Sequence, residues 1–135
     1  MDIIATGGPR FRVLERLADD PYPRAEVTVL AEQDGGVRPD DVTRARAAVH
    51  RYLGTVARLH GRDVHAPALP GDVLGASFAL SAALQIDLPD RQRLLACEDA
   101  ATRLALLAEL ARREAVLMQA IGPSVGRPDE AYSPN

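Results

Sequence analysis

The stretch from Leu88 to Ile121, LPDRQRLLACEDAATRLALLAELARREAVLMQAI, limits the fold more than any other part of the chain. Pro89 suits the first turn of a helix, because its missing N–H would have gone unpaired there anyway. Asp99 then offers a side-chain acceptor to the free N–H groups at the start of a second helix. In that second helix Leu104, Leu107, Ala111, Leu117, Met118 and Ile121 recur at helical spacing and are expected to face inward. Glu109 and Arg113 stand four apart in the favourable order for an ion pair, worth about 0.2–0.5 kcal/mol. Gly122-Pro123 ends the pattern. A short proline-started helix leading into a long amphipathic one belongs to a bundle, and it gathers no reactive side chains.

Two more helices are expected upstream. Pro39-Asp40-Asp41 supplies a start with an Asp as the capping acceptor, and Val42, Ala45, Val49, Leu53, Val56 and Leu59 recur at spacings of three and four as far as Gly61. After a loop from Gly61 to Pro70, Asp72 can cap VLGASFALSAALQ. Its polar side chains Ser77, Ser81 and Gln85 form one narrow stripe, so this helix is apolar nearly all round and is expected at the centre of the bundle.

Before residue 31 the pattern changes from helical to alternating. FRVLERL places Phe11, Val13 and Leu17 on one side and Arg12 and Arg16 on the other, with a break at Leu14 and Glu15. Past the breakers Asp19-Asp20-Pro21-Tyr22-Pro23, AEVTVL alternates again. Together with Ile3 and Ile4 these runs predict a three-stranded antiparallel meander with a bare edge, resembling the remnant of a larger sheet. The expected class is α+β: a β segment over 1–31, a four-helix bundle-like subdomain over 40–121, and a loose tail over 122–135 with too few apolar residues to offset the entropy of ordering.

A chain of 135 residues is long enough to bury roughly two-thirds of the surface its unfolded form exposes. Its aromatic content is 4%, with no Trp, so the core must come from Leu, Val, Ile and Ala. All 16 basic residues are arginine, which excludes any chemistry built on a lysine amine. The net charge of −3 argues against a dedicated nucleic-acid binder, which needs a basic face to displace counterions from phosphates. Cys97 is the sole cysteine, so no intrachain disulfide can form and a reducing compartment is the easier home. No run approaches the ~20 apolar residues of a membrane helix, and no secretory signal is visible at the N-terminus. The expectation is a cytoplasmic protein without membrane contact.

The candidate reactive groups read as structural. His50, His60 and His65 lack the i,i+4 spacing that would put two ligands on one helix face, and Cys97 has no cysteine nearby, so no metal site and no cofactor are expected. Ser77 and Ser81 lack the nucleophile elbow and read as serines bonding the carbonyl four residues back or touching a neighbouring helix. Gly7-Gly8 reads as a turn, with no phosphate-loop pattern around it. Asp19-Asp20 and Asp40-Asp41 read as turn and cap residues. The one candidate binding group is Arg10, Phe11 and Arg12, an aromatic between two cations at a strand start, which could contact an extended peptide or stack on a base; the plainer account is an inward Phe anchor with its neighbours in water.

The segments IIATGGPRFRVLE, DDPYPRAEVTVL and ALSAALQIDLPDRQRLLACEDAATRLALLAEL, in that order, resemble the LON substrate-binding domain family, the N-terminal domain of ATP-dependent Lon proteases and its stand-alone bacterial relatives. The resemblance covers nearly the whole chain to about Ile121 and corresponds to the second half of that domain, the last strands of a PUA-like pseudobarrel and then a helical bundle. The family's first strands, with their apolar run rich in Pro, Leu and Phe, have no counterpart here. The resemblance implies a non-catalytic module that recognises unfolded or degradation-marked polypeptides. Neither the Ser-Lys dyad of the Lon peptidase nor the Walker A lysine of its motor has a counterpart in a lysine-free chain. A structural or self-associating helical unit is the alternative, and nucleic acid is the least favoured partner.

Overall fold

The computed structural model describes residues 7–18, 21–61 and 63–121. Two strands, β1 (Phe11–Leu17) and β2 (Arg24–Val29), precede four helices, α1 (Pro39–His60), α2 (Val73–Ala82), α3 (Leu88–Ala96) and α4 (Ala100–Ile121). The chain forms two units, residues 1–32 and residues 33–135. The strand expected at Ile3 and Ile4, the turn at Asp19-Asp20 and the tail over 122–135 lie outside the described residues.

In the first unit β1 and β2 pair antiparallel, from Phe11 opposite Val29 to Leu17 opposite Arg24, with a bulge between Val13 and Glu15. The bulge accounts for the broken alternation of FRVLERL. An extra residue in one strand shifts every later side chain by one position relative to its partner. Phe11 and Val13 share a face with Val27 and Val29, but beyond Leu14 it is Arg16 that sits opposite Ala25 on that face. Leu17, expected beside Phe11 and Val13, therefore falls on the other face. Below the strands the hairpin is closed by the Leu30 N–H donating to the Arg10 carbonyl at 2.9 Å.

The second unit is a four-helix region. α1 begins with Pro39 at its first turn, and its N-cap is Arg38 rather than an Asp. Asp41 supplies the capping contact from inside the helix, its Oδ2 accepting from the Arg38 backbone N–H at 2.9 Å. α1 stops at Gly61, whose left-handed φ of 60° is cheap for glycine and lets its N–H donate to Ala57. α2 starts as expected, with Asp72 accepting from Gly75 at 2.6 Å. It ends at Ala82, short of Gln85, through two tighter turns in which Ala83 donates to Leu80 and Leu84 to Ser81, both at 3.2 Å. α3 is capped by Asp87, which accepts from Asp90 at 2.9 Å.

Asp99 caps α4 by accepting from Thr102 at 2.7 Å. The loop before α1 covers the next donors of that helix end, since Ala100 and Ala101 donate to the carbonyls of Gln33 and Asp34, both at 3.0 Å. Gly35 follows with φ of 70°, in a spot where a Cβ would run into the Asp99 carboxylate. Glycine is required there on both counts.

The core lies mainly between the two long helices. Ala45, Val49, Tyr52, Leu53 and Val56 from α1 meet Leu104, Leu107, Leu110 and Ala111 from α4. α2, expected at the centre, buries Ala76, Ser77 and Leu80 and leaves the rest of its circumference partly open. Leu117, expected inside, is 43% exposed. α1 and α4 run side by side in the same direction, for Asp41 and Arg44 lie beside Ala101 and Ala105 at one end while Gln119 reaches the Thr55 hydroxyl at 3.5 Å near the other.

One ion-pair expectation is corrected. The Arg113 guanidinium goes to Asp90 at 2.5 Å and Glu114 at 2.7 Å instead of Glu109. Asp90 also accepts from Arg93 at 2.7 Å, so this buried carboxylate joins α3 to α4. The Arg113 guanidinium, and after it Arg93, hold the Asp90 carboxyl below the usual carboxylate range. The Arg38 backbone N–H, and after it the guanidiniums of Arg38 and Arg44, hold Asp41 at about 2, against 3.8 ordinarily.

A depressed folded-state pKa gives stability that is complete above the unfolded value and is lost as pH falls through the folded one. The Asp41 contribution should therefore fade between pH 3.8 and about 2. Asp90→Asn should lower the melting temperature at neutral pH and flatten its decline in acid. Melts followed by circular dichroism across a pH series would show this, and an unchanged acid limb would contradict it.

Candidate functional site

The helical unit is held together by a group that the sequence pattern conceals. Arg103, near the start of α4, is completely buried. Its Nε donates to the Leu94 carbonyl at 3.2 Å, one Nη to the Ser77 hydroxyl at 2.9 Å and the other to the Cys97 carbonyl at 3.3 Å. Its Cζ lies 3.9 Å from the centre of the Phe78 ring. One side chain thus ties α4 to α2 and to the end of α3, and supplies donors to two carbonyls that α3 cannot satisfy itself. Arg103 falls four residues before Leu107 and seven before Leu110, on the apolar stripe. Its spacing is that of an inward position, but an arginine is ordinarily expected outside, which hides it among the polar residues.

The serines and the thiol take up the remaining valences of this joint. Ser77 donates to the Leu74 carbonyl and Ser81 to the Ser77 carbonyl, both at 2.8 Å, while the Cys97 thiol donates to the Arg93 carbonyl at 3.3 Å. Tyr52, also missed as a core residue, is fully buried and accepts from the Gln85 N–H at 3.1 Å, fixing the segment after α2 against α1. Burial pushes its phenol pKa up. His50, His60 and His65 are all exposed. Among the described residues no group of three or more His, Cys, Asp or Glu is placed to hold a metal ion.

Two surfaces remain as candidates for binding. The first is the hairpin. Every residue of β1 and β2 is exposed, including Phe11 at 59%, Val13 at 50% and Val29 at 67%. Two strands make two faces and no interior, and among the described residues neither outer edge is paired. Arg10, Phe11 and Arg12 are not a single group here. Arg10 is engaged side-on with Glu32, Nε to Oε1 at 2.5 Å and Nη2 to Oε2 at 2.8 Å, and its side chain is 8% exposed. Phe11 and Arg12 are open on opposite faces.

The second surface is a groove along α1 and α4, about 600 Å³ in volume. Ala48, Gly54, Ala111 and Ala115 make its low floor, and Arg51, Arg58 and Arg112 stand along it. Arg58 leans on α1, donating to the Gly54 carbonyl at 3.2 Å. A glycine inside a helix costs roughly 0.5–1 kcal/mol relative to alanine. Gly54 has no structural need to be glycine, since a Cβ there would meet nothing within 4 Å. The sequence signal for this surface was legible: after Asp41, α1 carries Arg44, Arg46, Arg51 and Arg58 with His50 and His60, and no carboxylate.

No helix among the described residues is long and apolar enough to cross a membrane. Neither a model of a known protein family nor a curated protein matches this chain.

The Arg103 joint has a measurable weight. Arg103→Ala should cost on the order of 3 kcal/mol or more, combining a cavity with carbonyls stripped of their donor. Ser77→Ala should cost about 1 kcal/mol alone and less in the Arg103→Ala background, because the two side chains share one bond. Urea denaturation of the four proteins gives both values, and strict additivity would contradict the coupling.

Proposed function

We propose that this chain is a non-catalytic polypeptide-recognition module, similar to the substrate-binding domain of Lon proteases. In this reading β1 and β2 are late strands of a PUA-like pseudobarrel, and the client is an unfolded or degradation-marked polypeptide in the cytoplasm. The observation that carries the proposal is the fully exposed hairpin. Among the described residues its strand edges present rows of backbone donors and acceptors, and Phe11, Val13, Val27 and Val29 form an apolar face beside them. An extended polypeptide added to such an edge gains main-chain hydrogen bonds, with side chains alternating onto that face. An isolated two-stranded hairpin is marginal in water, so a third strand stabilises receptor and client together.

The chemistry of the remaining groups supports the same reading. The chain has no lysine for a Ser-Lys dyad or a phosphate loop. Ser77, Ser81 and Cys97 are all donors to helix carbonyls. A net charge of −3 disfavours nucleic acid as the main partner. The exposed hairpin also favours one rival, in which the strand that adds to it belongs to a second copy of the chain.

Fluorescein-labelled casein, an unfolded protein, tests the proposal. Its anisotropy should rise with the full chain at tens of micromolar. Val29→Lys, a charge of the kind that protects natural sheet edges, should weaken binding by about tenfold or more. An unchanged anisotropy counts against the proposal, and sedimentation of dimers that Val29→Lys dissolves would establish the rival.

A further inference from the structure

The geometry points to the α1/α4 groove as a second docking surface, whose occupant is an acidic amphipathic segment of another polypeptide. The inference goes beyond the hairpin reading and uses none of its residues.

Three observations carry it. The first is charge. Arg51, Arg58 and Arg112 line the groove and no Asp or Glu does, in a chain whose net charge is −3. Arginine guanidiniums present forked donors matched to carboxylates, so glutamates flanking an apolar stripe are complementary to this lining. A second copy docking by the same face would set these cations against one another, which disfavours self-association here.

The second is the floor. The groove follows about three turns of α1, from Ala48 to Arg58, and Ala48, Gly54, Ala111 and Ala115 keep its floor low, which leaves room for a helix to lie close against the pair. No Phe, Tyr or Trp lines it and His50 is its one ring, so a nucleic-acid strand would meet arginines without a run of aromatic faces on which successive bases stack. The apolar floor and the cationic sides together select an amphipathic acidic helix over a phosphate backbone.

The third is Gly54. Its backbone is helical and not among the positive-φ glycines, and the space where its Cβ would stand is empty. The packing of this chain gives no reason for a glycine there. An approaching partner does, since every side chain larger than hydrogen would raise the floor at the middle of the groove.

The test uses the full chain and a labelled amphipathic helical peptide with a Leu/Ala stripe flanked by Glu. Controls are the same peptide with Gln for Glu and a labelled oligothymidylate. The Glu peptide should bind at least about tenfold more tightly than the Gln peptide. Gly54→Leu, Arg51→Glu and Arg112→Glu should each weaken it by about tenfold, with melting temperatures no lower than a few degrees below the parent. Gly54→Leu should melt higher, because it removes a helix-interior glycine where a Cβ meets nothing within 4 Å, so lost binding there is not lost folding.

Val29→Lys should leave the Glu peptide's affinity unchanged, which separates this surface from the hairpin. Equal binding of the two peptides, no binding, variants that bind like the parent, or tighter binding of oligothymidylate would each overturn the inference. So would a dimer of the full chain that Gly54→Leu dissociates.

Discussion

The helical unit depends on a guanidinium with no access to water. Burying Arg103 removes a strongly hydrated group from solvent, a cost borne only where its donors find acceptors in fixed places. Here the acceptors are the Leu94 and Cys97 carbonyls and the Ser77 hydroxyl, with Phe78 against the guanidinium face. α2 and α3 are short, ten and nine residues, and neither would be stable alone. Arg103 joins both to α4 at one point, and Asp90 with Arg113 makes a second joint further along α4. These polar joints set where the short helices sit; the apolar α1/α4 interface supplies the bulk of the burial.

That interface explains the open groove. Two long helices packed in the same direction touch along a seam, and the small residues Ala45, Ala48, Ala108 and Ala111 allow the backbones to approach closely there. α2 and α3 cover part of the circumference that remains. The face carrying Gly54 and Ala115 is left without a third helix, and arginines border it. The bundle is thus satisfied in its interior and incomplete on one side, a division that follows from two of its four helices being too short to enclose it.

Much of this was legible from the residues. The four helices, the Asp72 and Asp99 caps and the Gly61 stop follow from local chemistry, because a cap needs only its own first turn. The strand pattern of FRVLERL was legible as a strand but misleading about its faces. Alternation assumes an unbroken ladder, and the bulge at Leu14 carried Leu17 to the other side. Apolar content overstated the depth of α2, since how far a helix is buried depends on which neighbours are long enough to cover it. Arg103 and Tyr52 lie on the correct stripes but do not count as inward residues by apolar content, and the partners of their polar tips are distant in sequence: Ser77 for the one and Gln85 for the other.

The candidate sites divide along the same line. The triplet Arg10-Phe11-Arg12 could be read as one binding group because its members are adjacent. Adjacency in a strand separates side chains, and Arg10 is drawn to Glu32, twenty-two residues on, a pairing no local pattern signals. The groove cations behave differently. Arg51 and Arg58 are seven apart on one helix, two turns along the same face, so their convergence follows from helix period alone; Arg112 joins them because α4 runs parallel to α1. A surface assembled from one helix face and its neighbour is thus partly predictable from charge spacing. A surface built on a strand is less so, because which side chains share its face depends on a bulge that alternation does not signal.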